Sequence, residues 1–270
     1  MRLSVRHVVL FIAAALFGTP IAVMLLTALQ EPGPAGTTGS LSLDPSRLTV
    51  ANFADLIGDT ELYRFLLNSA VVSAASTLIV LSTGSLAAFG IFRYEFPGKR
   101  PIVLVLLLGT VLPPAAMIVP LYGQIRSLGL IDSYFGLILP YSALGIPVAV
   151  LLFTNSFASV PGAILQAAQV DGARPFQVYL KVLIPLSLPA IATIGILQVL
   201  FSWNEYLLAS LVMVDEQRQT AQLAWIKYAG QFNIQYQRLF AVLTVLTVPV
   251  VAIFLLLQRQ FVRGLQGAVK

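Results

Sequence analysis

QAAQVDGARPFQVYLKVLIP, residues 166–185, interrupts an oily chain with small side chains, an Asp-Gly pair and two cations, Arg174 and Lys181. Just before it, Val160-Pro161-Gly162 closes an apolar run and opens a short helix, on which Ala163, Ala167 and Val170 share one face at spacings of four and three. Ala167 and Ala168 have almost no bulk, so another surface can approach closely. Gly172 permits a sharp reversal because glycine tolerates positive φ, and Pro175 suits the first turn of the helix that follows. Two readings fit the spacing: a compact helical knob tied at both ends to membrane helices, or a basic amphipathic loop lying on lipid headgroups.

The surroundings of this stretch exclude a soluble domain. Of 270 residues, 58% are hydrophobic and 10% charged, with mean hydropathy +0.88, too few charges to cover a water-exposed surface. The chain reads as a polytopic membrane protein with lipid as its solvent. The absence of cysteine excludes disulfides and thiolate metal sites, and the single histidine, His7, reads as a polar flank beside Arg2 and Arg6. A net charge of +5 records membrane topology, and no nucleic-acid partner is expected. Residues 8–29 carry no charge and exceed the ~7–15-residue apolar core of a signal peptide. They read as a retained first span.

Crossing ~30 Å of hydrocarbon takes about 20 helical residues. Charge-free stretches of that order occur at 8–29, 65–92, 101–125, 133–157, 186–212 (Glu205 excepted) and 239–258. The expected fold is therefore all-α, with six transmembrane helices in a single domain over 1–270. Alternation puts both termini on one side. That side holds ten of the 16 Lys and Arg residues (Arg2, Arg6, Arg93, Lys99, Arg100, Arg174, Lys181, Arg259, Arg263 and Lys270), so the positive-inside bias makes it, with segment 158–182, cytoplasmic. The other loops hold Arg47, Arg64, Arg126, Arg218, Lys227 and Arg238.

The first external loop, 30–64, opens irregularly with EPGPAGTTGS and then predicts a short helix before the second span. Its Asp44, Asp55, Asp59 and Glu61 lack ligand-like spacing and read as a solvated face, with no metal expected. Small residues in the second span, including Ser73, Ala74, Ser76, Gly84 and Ser85, allow close helix approach in lipid. Prolines 113, 114, 120, 140, 147, 185, 189 and 249 free carbonyls inside the later spans and let them bend.

The pattern QAAQVDGA followed by LIP resembles the EAA-type loop of permease subunits of bacterial ABC importers. Asn52-Phe53, Asn68-Ser69, PLYGQIRSLGLIDSYFGLILP, SWNEY at 202–206 and the C-terminal QRQFVRGLQGAVK extend the resemblance over about residues 48–270. They are similar to the second permease subunit of carbohydrate importers of the maltose, trehalose and glycerol-phosphate type. The resemblance implies a type I permease fold in the bacterial inner membrane. It also implies a homologous permease partner, two cytoplasmic ATPase subunits and an external solute-binding protein or lipoprotein. It implies docking of the loop on the ATPase through Gln166, Ala167, Ala168, Asp171, Gly172 and Ala173, with Pro185 closing the motif. The chain departs from the family pattern at Gln166, where Glu is usual, and at Ala163, where an acid is frequent.

The sequence holds no GxxxxGK[ST] and no Ser/His/Asp or Cys/His set, so this subunit is expected to be no enzyme and to carry no cofactor. ATP and Mg belong to the implied partners. Candidates for a substrate path or external gate are Gln198, Trp203, Asn204, Glu205 and Tyr206. Indole and amide suit a sugar's apolar face and hydroxyls. Gln198 equally suits an interhelical hydrogen bond. Glu205, about 28 Å along its span at ~1.5 Å per residue, is either a gate residue or a boundary anchor within an aromatic belt. The expected function is ATP-driven import of a neutral di- or oligosaccharide by alternating access. Within the same class the alternative is import of glycerol phosphate or a polyol, of which the phosphorylated substrate would call for basic residues facing the cavity. An ion-coupled secondary carrier would call for ionisable groups at mid-membrane, and neither set is present.

Overall fold

The computed structural model describes residues 5–31, 45–229 and 235–267. Most of the EPGPAGTTGS run, Asp44, Arg2 and Lys270 lie outside the described residues. All the regular structure among the described residues is helical, and the one β contact there is a bridge between Gln30 and Leu48. In order, the helices are α1 (Val5–Ala28), α2 (Ala51–Ile57), α3 (Thr60–Arg93), α4 (Lys99–Val111), α5 (Pro114–Ser127) and α6 (Phe135–Ala158). Then come α7 (Gly162–Val170), α8 (Pro175–Val178), a π-helical turn (Tyr179–Leu183), α9 (Ile184–Leu186) and α10 (Leu188–Asn204). The series ends with α11 (Leu207–Val212), α12 (Ala221–Ala229) and α13 (Tyr236–Gly267). Among the described residues four helices are long and apolar enough to cross a membrane, or up to six crossings if each of two bent pairs makes one.

Prolines flank both bends. Stretch 101–125, expected to be one continuous span, is instead α4 and α5 at 106°. Leu112 and Pro113 each precede a proline and are forced extended, with ψ of 122° and 127°. The second pair, Pro175–Leu186 and Leu188–Asn204, bends by 74° around Ser187. Stretch 186–212 is likewise broken, since Glu205 is extended, with ψ 123°, between α10 and α11.

The chain divides into two compact units. In the first, Met1–Leu66 with Ala221–Pro249, the Asn52 side chain donates to the carbonyls of Ala28 and Gln30 at 2.8 Å each and closes the end of α1. Asp59, expected on a solvated face, is a helix cap, with Oδ1 accepting from the Glu61 and Leu62 amides at 3.0 and 3.2 Å. Its Oδ2 accepts the Tyr228 hydroxyl, and Glu61 pairs with Lys227. Burial, then the bond to Asp59 and its charge, push Tyr228 well above its usual pKa, against the opposing pull of Arg238. Asp55 is exposed.

The second unit, Leu67–Thr220 with Val250–Lys270, packs α3, α6 and α10 around Val80, Ala88, Val150, Phe153, Phe157 and Ile194. A Cβ on Gly84 would lie 2.8 Å from that of Ala149, so glycine is what allows α3 and α6 to approach this closely. Tyr179 and Leu183, from the π-helical turn, belong to the same core.

Candidate functional site

The 166–185 stretch folds as two short helical pieces around a left-handed turn. Gly172 has φ +74°, and Ala173 N donates to Ala168 O at 3.0 Å, a Schellman-type closure of α7. Gln177 Oε1 then accepts the Arg174 amide at 2.7 Å and starts α8. No residue of α7 is buried. Gln166, Ala167, Asp171 and Gly172 are exposed, while Ala168 and Ala173 are partly covered. Ile164, Val170 and Phe176 are exposed around them, Val170 at 88%. This is a small, shallow surface with an apolar rim.

Pro185 stands apart, at the far end of the rod that begins at Pro175. It has no N–H for the Lys181 carbonyl, and just before it the Ile184 amide reaches five residues back to Tyr179 O. The π-helical turn presents Tyr179 to α3, where its hydroxyl and Ser85 Oγ share a hydrogen bond of 2.8 Å and its ring lies 5.1 Å from that of Phe89. Ser156 Oγ on α6 donates to Ser187 Oγ at 2.9 Å. The exposed knob is thus joined to two long helices by a rod whose Tyr179 and Leu183 are buried against them.

The five candidates around α10 do not form one cluster. Gln198 is 4% exposed and its Nε2 donates to Tyr141 O on α6 at 3.2 Å. Trp203 is 4% exposed, with its ring packed inward. Asn204 is exposed, and its amide donates to Leu200 O at 2.8 Å. Tyr206 is half-buried just before α11. Glu205 caps α11: Oε1 accepts from the Leu208 amide at 2.8 Å, and Oε2 accepts from the Ala209 amide at 3.1 Å and the Tyr141 hydroxyl at 2.6 Å. Tyr141 therefore links Gln198 and Glu205, through its carbonyl and its hydroxyl respectively.

Beside Gln198 lies a cavity of about 300 Å³ between α3, the end of α4, α6 and α10. Leu144, Gly145, Leu197 and Phe201 form much of its wall, Thr110 and Gln198 supply its polar side chains, and no charged residue lines it.

Sequence reasoning missed Tyr141, Gly145 and Asp132. Asp132 has φ +54°, and its Oδ1 accepts from the Val214 and Asp215 amides at 2.7 Å each. Its own amide donates to Val212 O at 2.9 Å, and Arg218 Nη1 donates to its carbonyl. One residue thereby ties the α5–α6 loop to the end of α11. The available signal was an aspartate three residues after Gly129 in the stretch SLGLIDS, a residue type that tolerates the left-handed region.

Residues 80–267 match the family model described as binding-protein-dependent transport system inner membrane component. The trehalose transport system permease protein SugB of Mycobacterium tuberculosis is 35% identical over 240 residues, 88% of each chain. The diacetylchitobiose uptake system permease protein NgcG of Streptomyces coelicolor is 29% identical over 259 residues, 95% of this chain and 85% of the other. Among solved structures, one chain of a bacterial ABC transporter involved in import of the acidic polysaccharide alginate superposes with TM-score 0.81 at 23% identity, covering 95% of both chains. That likeness shows the fold of an ABC importer permease. The chain belongs to the inner membrane components of binding-protein-dependent transport systems and is a multi-pass permease of that family.

Proposed function

We propose that this chain is the second permease subunit of an ATP-driven importer for a neutral di- or oligosaccharide, acting as one 270-residue permease domain. The observation that carries the reading is the exposed knob at 162–174, tied to α3 and α6 through a helical rod anchored by the buried Tyr179 and Leu183. Its exposed small residues and apolar rim suit the groove of a partner ATPase, with Gln166, Ala167, Ala168, Asp171, Gly172 and Ala173 as contacts and Pro185 setting the rod behind them. The trehalose and diacetylchitobiose names of two relatives support a carbohydrate substrate, and the uncharged cavity favours a neutral one.

The ATPase subunits supply ATP and Mg, while this chain supplies a path and a lever. Their closure pushes the knob, the rod turns on α3 and α6, and the proline bends at 112–114 and 187 let the helices reorient. Asn204, with Trp203 behind it and Glu205 and Tyr206 following, stands where α10 breaks and belongs to the external gate. A homologous permease and an external solute-binding protein complete the complex in the bacterial inner membrane, with both termini and the knob in the cytoplasm. The family's description as binding-protein-dependent supports the external partner. The lysine and arginine distribution supports the orientation.

The test is reconstitution of the complete complex in proteoliposomes, reading ATP hydrolysis and uptake across a panel of neutral sugars, polyols and glycerol phosphate. Stimulation by one neutral sugar with its binding protein is expected. Stimulation by glycerol phosphate alone would move the assignment to a phosphorylated substrate.

A further inference from the structure

The cavity beside Gln198 has a polar character that its apolar wall conceals. Tyr141 O is an acceptor, so the Gln198 amide must turn its NH2 group toward it. Oε1 is left facing Gly145, in space that a Cβ on Gly145 would occupy at 2.1 Å. No hydrogen-bond donor among the described residues reaches this oxygen, on a side chain 4% exposed. With no protein donor and a place on the cavity wall, this oxygen is left to accept from whatever occupies the cavity.

Two residues on the same wall also have backbone carbonyls without a helical partner. The amides that would bond to the carbonyls of Gly109 and Thr110 in a continuing helix belong to Pro113 and Pro114, which carry no hydrogen. Gly109 and Thr110 both line the cavity. The double proline that bends α4 away from α5 therefore also frees the carbonyls of two residues that line the cavity. Phe201, from α10, adds an aromatic surface. Acceptors beside an aromatic ring, with no charge, suit a neutral molecule that donates through hydroxyls and packs an apolar face on the ring. A volume of about 300 Å³ sits at the small end of ligand sites. It equals about ten water volumes at ~30 Å³ each, enough for a single sugar ring but not a long chain.

We propose that this cavity is a hydroxyl-reading subsite for one sugar ring, held by this subunit itself, in which Gln198 Oε1 accepts from a ring hydroxyl and Gly145 keeps the space for that oxygen. The subsite rests on the carbohydrate reading above and assigns a specificity-determining residue within it.

The experiment uses the complete importer in proteoliposomes, first with the neutral sugar it imports best and then with that sugar's singly deoxygenated analogues. Wild type is expected to discriminate by about ten-fold in kcat/KM against the analogue lacking the hydroxyl read by Gln198. Gln198→Leu is expected to erase that one discrimination and keep the others, a pattern that a general packing defect does not produce. Gly145→Ala displaces Oε1 without removing it and is expected to give the same pattern, so the test stands even if Gln198→Leu fails to assemble. If both variants retain the wild-type discrimination, or wild type shows none, the cavity holds a lipid chain or no hydroxyl donor and the subsite is wrong while sugar import stands. A wild-type complex that imports no neutral sugar overturns both.

Discussion

Gly172 offers the sharpest test of the lever. It has φ +74°, and no atom lies within 4 Å of the Cβ that another residue would add. Substitution therefore meets no steric obstacle within the chain, and its cost is backbone strain alone. A β-branched residue in the left-handed region costs about 1–2 kcal/mol, which is about 5–30-fold in the population of the turn. Gly172→Val is expected to loosen the α7 closure, weaken ATPase docking by that factor and reduce sugar-stimulated ATP hydrolysis in the assembled complex, with membrane insertion unchanged. Gly172→Asn separates strain from contact, because asparagine tolerates positive φ while still adding a side chain. If strain is the cause, Asn restores most of the stimulation; if the partner surface itself requires a bare backbone, Asn is as damaging as Val. Wild-type stimulation in Gly172→Val would refute the argument that this turn transmits force.

Two further predictions concern the carboxylates. Glu205→Ala removes the cap of α11, about 1–2 kcal/mol, and leaves the buried Tyr141 hydroxyl without its acceptor, about 1–3 kcal/mol more. Thermal unfolding in detergent should show a clear loss, reduced when Tyr141→Phe is added because the orphaned hydroxyl is then gone; strictly additive losses would reject the coupling. Tyr228 is held protonated above its ordinary value of 10.0 by burial and by Asp59, so its stabilising contribution is complete below pH 10 and is lost as pH rises through the raised value. The late-appearing tyrosinate absorbance in an alkaline titration should fall by one residue in Tyr228→Phe. A wild-type curve identical to the variant's apart from one ordinary tyrosine would count against the Asp59 contact.

The membrane architecture was legible because a span is defined by length and apolarity, both properties of the sequence. The knob was legible because Pro161, Gly172 and Pro175 act locally through φ and missing N–H groups. The bends were only partly so. Pro113 and Pro114 announced a perturbation, but a 106° elbow is a sum of two extended residues that tertiary packing must accommodate. Around α10 the limit was different: Trp203, Asn204 and Glu205 are adjacent in sequence, yet one is buried, one exposed and one turned back as a cap. Adjacent residues on a helix face different ways, and the chain breaks at Glu205 itself. The partner that organises Glu205, Tyr141, lies 64 positions away, beyond the reach of any local pattern.

That long-range organisation bears on how force travels. A knob resting on headgroups would need only an amphipathic face, and its link to the bundle could be a flexible loop. Here the link from Pro175 to Leu186 is helical throughout, with a π-helical turn in the middle. That turn rotates Tyr179 into the core and lets Pro185 sit in the rod without stranding the preceding turn. Tyr179 stacks on Phe176 at the knob end, at 5.6 Å, and meets the ring of Phe89 in α3 at a tilt of 41°. Its hydroxyl meets Ser85, and two residues after Pro185, Ser187 meets Ser156 on α6. Close-packed interiors transmit displacement because they compress little. A push on the knob therefore arrives at α3 and α6 as a displacement of packed rings and paired hydroxyls, whereas a loop on a lipid surface would dissipate it.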